Sequence, residues 1–167
     1  MSTTALLTAV RSEIRPMVPS LDAAAVADFV ESIASEPRFF GQRTNVPMRS
    51  MSTSRLLHPI AGPSFVAIVD STIVGLAHVE LPRRDRGAEF SIQVRSPWRR
   101  AGLGTKLLRS VIFHDDLEEL GSASCLVARN NRAALALAAS AGLERRDLEV
   151  SLIELRLVFG QSARRCA

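Results

Sequence analysis

Eight residues in the middle of the chain, Arg99 to Lys106 (RRAGLGTK), set two glycines among arginines at the entry to an apolar run. Glycine accepts the positive φ angles that turn backbone N–H groups toward a ligand. A helix starting there adds its unpaired donors and the positive end of its dipole. Arginine supplies charge-assisted hydrogen bonds. Such a turn holds a phosphate or pyrophosphate without a metal.

Three phosphate-binding patterns compete for this stretch. A Walker loop needs a glycine five residues before the one that precedes its lysine, and a Ser or Thr after the lysine. Here Arg99 stands at the first position, and Thr105 comes before Lys106 rather than after it. A dinucleotide fingerprint beginning at Gly102 would need a small residue at Leu107, where helix and strand approach closely. The pattern that fits is Arg-x-x-Gly-x-Gly at a strand-to-helix junction: Arg99, Gly102 and Gly104.

The elements that must position this turn follow from periodicity. AEFSIQV (88–94) alternates, with Ala88, Phe90, Ile92 and Val94 on one face and Glu89, Ser91 and Gln93 on the other, so a strand leads into the turn. From Gly102 to about Leu120 the stripe Leu103, Leu107, Leu108, Val111, Ile112 reads as a long helix that Gly121 ends. Upstream, SFVAIVD (64–70) and IVGLAHVEL (73–81) read as a hairpin turning at Asp70-Ser71-Thr72. A helix is expected over 20–34, capped by Ser20 or Asp22, with Ala25, Val26, Phe29, Val30 and Ile33 inward. A first strand is expected within 5–18, and a second helix around Met48 to Leu57. ASCLVA (123–128) reads as a strand, a helix capped by Asn130 or Asn131 runs to Gly142, and 148–159 reads as a last long strand. The order βα(α)βββαβαβ predicts a mixed α/β sheet in one domain, 1–167, with its core over about 8–159.

Composition narrows the function classes. The chain has 167 residues, 47% hydrophobic and 23% charged, enough for a buried core without staples. No apolar run reaches the ~20 residues of a membrane span. The N-terminus shows no basic segment followed by an apolar one, so the cytoplasm is the expected compartment. The net charge is +4, and Lys106 is the single lysine among 21 basic residues. Those arginines are dispersed, and the chain has no tyrosine, which leaves little for base stacking and argues against nucleic acid. Cys125 reads as a core thiol, Cys166 as part of a mobile tail. Three scattered histidines and two cysteines give no metal-ligand spacing, so no metal is expected.

VRSPWRRAGLGTKLL resembles motif A of the GNAT superfamily of acyl-CoA-dependent N-acyltransferases. ARNNRAALALAASAGL resembles the same family's second signature, an Asn at a helix start followed by small and apolar residues and a Gly. The order of elements agrees over roughly residues 8 to 159. The resemblance implies a mostly antiparallel sheet with helices on both faces, and acetyl-CoA lying where two central strands splay. Backbone groups of Ile92, Gln93 and Val94 would then meet the acetyl carbonyl and pantetheine arm. The amides of Arg99, Arg100, Ala101, Gly102, Leu103, Gly104 and Thr105 would hold the pyrophosphate, and Asn131 the pantetheine.

Acetyl transfer to an amine needs a neutral nucleophile, and a lysine ammonium has a pKa near ~10.4, so a base is required. On the resemblance that base is Glu89, with Glu80, Asp85 and Asp70 as weaker candidates. The amine attacks directly, without a covalent enzyme intermediate. Many relatives carry a tyrosine on the second signature helix as acid; the aligned residue here is Ala138. PRFFGQ near residue 37, together with AEFSIQVRSPWRRAGLG, is similar to the acetyltransferase domain of bacterial protein lysine acetyltransferases. A protein lysine is therefore the favoured acceptor, a small-molecule amine the alternative, and a non-catalytic acyl-CoA sensor a third reading. A homodimer through the C-terminal strand is left open.

Overall fold

The computed structural model describes residues 11–36, 53–58, 62–82 and 87–159. In chain order its first half runs β1 (Glu13–Pro16), α1 (Pro19–Ser35), α2 (Thr53–Leu56), β2 (Ser64–Val69), β3 (Thr72–Glu80) and β4 (Ala88–Val94). The second half is α3 (Leu103–Ile112), β5 (Ser122–Ala128), α4 (Arg132–Ser140), β6 (Glu144–Asp147) and β7 (Leu152–Val158), with 3-10 turns at Ser96–Trp98 and Asp115–Leu120. The seven strands form one sheet in the order β1-β2-β3-β4-β5-β7-β6. Every neighbouring pair is antiparallel except β4 and β5.

Local chemistry explains most boundaries. Asp70 (φ 46) and Ser71 (φ 62) form the two-residue left-handed turn that matches strand twist, so β2 and β3 close as a tight hairpin. Apolar stripes then place the helices. α1 lays Val26, Phe29 and Ile33, joined by Leu56 of α2, on Val66, Ile73 and Leu76. α3 lays Leu103, Leu107, Leu108, Val111 and Ile112 on the opposite face, against Ala67, Ala77, Val79 and Phe90. On that same face α4 contributes Ala138 against Ile153 and Leu155. The expected mixed, mostly antiparallel sheet with helices on both faces is the observed one.

Four expectations change. The helix from 102 stops at Ile112, because His114 is extended (φ −88, ψ 115) and a 3-10 turn restarts at Asp115. Asp115, Asp116 and Glu118 would oppose the dipole at a helix C-terminus but suit the start of a new turn. α1 starts one residue before the first expected cap: Val18 is the cap residue and Pro19 the first helical residue. Asp22 lies inside the first turn, where its Oδ2 accepts from Val18 N–H at 2.8 Å and both oxygens take Arg15 at 2.7 Å. The expected strand 148–159 begins only at Leu152, and a separate strand, β6, precedes it. The sequence of β6, ERRD, is fully exposed, so no apolar alternation announces it. The expected segments before residue 11 and over 48–52 lie outside the described residues.

Candidate active site

The sheet is nearly unzipped at one seam. β4 and β5 pair only at Ala88–Ala123 and Glu89–Ser124. Beyond those pairs, Phe90–Val94 and Cys125–Ala128 have no partner across the seam, so the strands diverge toward their C-terminal ends. Each strand then feeds a helix, β4 into α3 and β5 into α4. Two helix N-termini therefore stand at the open end of a wedge whose apex is Glu89. Crevices outside the carboxyl ends of parallel strands are where α/β sheets take ligands.

At that open end the turn from β4 to α3 contains two left-handed residues, Arg100 (φ 66) and Gly102 (φ 78, ψ 0). The first helical bond is Lys106 N–H to Gly102 O at 3.1 Å, leaving the N–H groups of Leu103, Gly104 and Thr105 without an intrahelical acceptor. The two glycines differ. Gly102 is required by its φ, whereas a Cβ on Gly104 would meet only Leu137 Cδ2 at 3.5 Å, an ordinary contact. Arg100, Ala101, Gly102 and Thr105 are exposed, and Leu103 turns its side chain into the core.

Arg99 does not offer its side chain to a phosphate as the sequence suggested. Its Nε donates to Val94 O at 2.8 Å, and its terminal nitrogen bonds Glu36 Oε2. Glu36 Oε1 in turn accepts Ser96 N–H at 2.7 Å. The residue just after α1 thus ties down both the end of β4 and the turn. Sequence reasoning missed Glu36, which lies 60 positions from Ser96 and in no motif. Val94 O is correspondingly taken, and the rest of the Ile92–Val94 edge on the seam side is unpaired with β5. On the other lip, Asn131 caps α4 by accepting Ala134 N–H at 3.1 Å through Oδ1. The donor half of that amide is left for other partners.

Cross-strand register brings together side chains that no local motif connects. Glu80 pairs with Glu89, Glu89 with Ser124, Ser124 with Arg156, and Arg156 with Glu144, making one transverse row on the α1 side of the sheet. Register partners share a face. Two carboxylates directly opposed, Glu80 and Glu89, cost a sheet stability, and Glu89 is exposed. A second row adjoins it, Ser64, His78 and Ser91, of which Ser64 and His78 are buried with Ser64 Oγ 2.8 Å from His78 Nδ1, and Ser91 is half-buried.

Other candidates fall away from the cleft. Ala138, at the position aligned with the family tyrosine, is buried against Ile153 and Leu155. Burial, reinforced by the Glu154 carboxylate, pushes the Cys125 thiol up to about 12, so it is no thiolate nucleophile at neutral pH. Asp70 sits in the β2–β3 turn, away from the seam, while Asp85 and Cys166 lie outside the described residues. Among the described residues no three His, Cys, Asp or Glu side chains are grouped to hold a metal ion. No helix among them is long and apolar enough to cross a membrane.

A central pair of splayed parallel strands with an Arg-x-x-Gly-x-Gly turn at its mouth defines an acyl-CoA-dependent transferase fold. The chain belongs to the acetyltransferase (GNAT) family, whose model matches residues 28–143. Solved structures agree in fold. An acetyltransferase from Salmonella typhimurium with its cofactor acetyl-CoA is 19% identical, with a TM-score of 0.65, covering 90% of this chain and 95% of that one. A ribosomal-protein-alanine N-acetyltransferase from Brucella melitensis is 20% identical, with a TM-score of 0.68 and 88% and 99% covered. A spermidine/spermine N-acetyltransferase from Vibrio cholerae is 16% identical, with a TM-score of 0.65 and 93% and 98% covered. None of these likenesses singles out protein lysine acetyltransferases. Among curated proteins, none matches the chain in sequence.

Proposed function

We infer that this enzyme transfers the acetyl group of acetyl-CoA to a primary amine, with Glu89 as the general base and a protein lysine as the favoured acceptor. The observation that carries this reading is the end of β4–β5 pairing at Glu89, at the apex of a wedge whose mouth is the N-terminus of α3.

The residues fit the cofactor. The N–H groups of Leu103, Gly104 and Thr105, with those of Arg100 to Gly102 in the turn, offer an anion fixed donors and a favourable dipole, whereas the Arg99 N–H is taken by Ser96 O at 3.2 Å. With no side chain at Gly104 and nothing within 4 Å of where a Cβ on Gly102 would stand, a phosphate can approach the backbone. On the seam side of Ile92–Val94, the Ile92 backbone and the Val94 N–H are open to the amide-rich pantetheine arm, while Gln93 turns its backbone to β3; Asn131 offers its amide nitrogen from the opposite lip. Arg99 supports this edge through Val94 O rather than touching the pyrophosphate.

At the apex, Glu89 takes the proton of the incoming ammonium. The amine nitrogen forms its bond to the thioester carbonyl carbon, the C–S bond breaks, and the thiolate leaves. With Ala138 in place of a hydroxyl acid, the second proton lost by the amine nitrogen passes through water at the mouth to that thiolate. The stretches PRFFGQ and AEFSIQVRSPWRRAGLG, similar to those of protein lysine acetyltransferases, are what favours a protein lysine. The similarity to the polyamine enzyme keeps small amines in the assay, although the many arginines disfavour polycations.

The test is thiol release from acetyl-CoA with lysine peptides and small amines, for wild type and Glu89→Gln. General-base loss should lower kcat about 100-fold or more with acetyl-CoA affinity retained. Undiminished turnover would remove Glu89 from the mechanism. Binding without thiol release on any amine would establish a sensor instead.

A further inference from the structure

On the same face as Glu89, straddling the level of the apex, lies an open pocket of about 190 Å³ that runs from Gly87–Ala88 and Ser122 on the closed side past Ser124 and Arg156 to Glu154 and Arg146, which stand level with Leu126. Cofactor entering at the open end of the wedge would reach Glu89 along the seam, and this pocket adjoins Glu89 through its neighbours across β5. Ala88, which lines it, precedes Glu89, and Ser124, which also lines it, is the register partner of Glu89. The position is that of an acceptor subsite.

Its chemistry is specific. In register Arg156 faces Glu144 and Arg146 faces Glu154, the arrangement of ordinary cross-strand ion pairs. Neither pair forms. Arg156 turns instead across β7 toward β5, where Nε and a terminal nitrogen donate to Ser122 Oγ at 3.2 and 3.0 Å. Arg146 makes no hydrogen bond or ion pair among the described residues. Two guanidinium groups without a carboxylate partner, beside two serine hydroxyls, therefore border one cavity. Guanidinium is the group best matched to a planar carboxylate. Glu154, in the same lining, repels a multiply charged anion and so favours a single carboxylate over a phosphate.

We propose that Arg146 and Arg156 bind a carboxylate carried by the acceptor, so that the amine delivered to Glu89 belongs to a molecule with an acidic group nearby. Glu89 and Arg156 share one face two strand spacings apart, roughly 10 Å, and Arg156 reaches toward β5 to meet Ser122. A lysine-sized separation between amine and carboxylate spans that gap. The carboxylate has two sources, a free diamino acid or an acidic residue beside a lysine in a protein. This inference rests on the acceptor reading of Glu89 above.

Free lysine and cadaverine differ only in the carboxylate, which makes them a matched pair. The first measurement follows the guanidinium Nε–Hε NMR signals of Arg146 and Arg156 in the full chain as each compound is added. Lysine should give saturable shifts of both signals and cadaverine none, and Arg156→Gln should weaken the lysine response at Arg146 about 10-fold. Equal responses to the two compounds, or none to either, overturn the site whatever the turnover assays give. The second measurement is the ratio of kcat/KM for lysine over cadaverine at saturating acetyl-CoA. It should be about 10- to 100-fold and collapse toward one in the Arg146→Gln/Arg156→Gln double variant. Wild-type ratios near one in both this pair and the peptide pair below overturn the assignment to the acceptor. Peptides with Lys-Asp against Lys-Asn, run beside the amino-acid pair, show by which pair discriminates whether the carboxylate comes from a protein or from a free amino acid. Both guanidinium groups are exposed, so the variants keep the fold.

Discussion

The two sides of the β4–β5 seam are built on different rules. On one side, β2 and β3 are covered on both faces, by α1 and by α3, and β3 is buried without interruption from Ile73 to Val79. On the other, β7 alternates between buried and open positions, and all four residues of β6 are exposed. A strand covered on both faces must be apolar throughout, whereas a strand covered on one face can spend every second residue on recognition. The first half is a core covered on both faces, and the second leaves alternate positions of β7 and all of β6 turned outward. The seam between them, held by two residue pairs, is where the cofactor can enter without breaking either.

The largest effect that separates the halves should come from Leu107→Ala. Leu107 is fully buried, and its Cδ1 lies 3.0 Å from where a Cβ on Gly75 would stand, so α3 and β3 interlock there. Truncation should cost about 3 kcal/mol, lowering Tm by roughly 6–12 °C. Leu126→Ala, on the open face and 43% exposed, should stay within about 0.5 kcal/mol. Thermal unfolding of the two variants checks the contrast, and comparable losses would mean that the open face is in fact part of the core.

A smaller effect concerns the way the scaffold is fastened. The Arg15 guanidinium, helped by Val18 N–H, holds the Asp22 carboxyl below its ordinary value of 3.8 against the cost of burial. A carboxyl depressed in the folded state contributes stability that is complete above its unfolded pKa and is lost as pH falls through the folded one. Asp22→Asn keeps the shape but loses the ion pair. With Arg15 30% exposed, the loss should be about 1–2 kcal/mol at neutral pH. Denaturant titrations between pH 7 and pH 2 should show the wild-type advantage shrinking toward the acid end. An advantage that persists at pH 2 would leave the pairing with Arg15 without an energetic role.

Legibility in the sequence followed locality. The Arg99-Gly102-Gly104 turn and the alternation of 88–94 are contiguous, and the structure returns both. The Asp70-Ser71 turn and the Asn131 cap are local as well, and were equally visible. Glu36 was invisible because it reaches Ser96 and Arg99 across some sixty residues whose composition gives no pattern. The row from Glu80 to Glu144 draws on five strands, and it exists only through register, which no single stretch encodes. Charged β6 belongs to the sheet because β7 offers it an edge, a tertiary reason that overrides its own propensity. The Arg99 side chain shows both cases: its bond to Val94 O is local, five residues away, whereas its partner Glu36 comes from across the fold.

The finest distinction lies within the glycine turn. Gly102 serves the fold, since its φ of 78 is one that other residues resist. Gly104 does not: it has helical geometry, and an added methyl would rest at ordinary distance from Leu137. Gly-to-Ala in a helix removes unfolded-state freedom and should stabilise by about 0.5–1 kcal/mol, raising Tm by a few degrees. The same methyl would stand among the N–H groups of Leu103, Gly104 and Thr105 and keep a phosphate oxygen from closing on them. Acetyl-CoA affinity should therefore fall about 10-fold while stability rises, a divergence that calorimetric binding and thermal unfolding read separately. If both improve or both hold, the amides of α3 do not meet the pyrophosphate closely. If the two move in opposite directions, Gly104 is a residue the ligand requires and the scaffold does not.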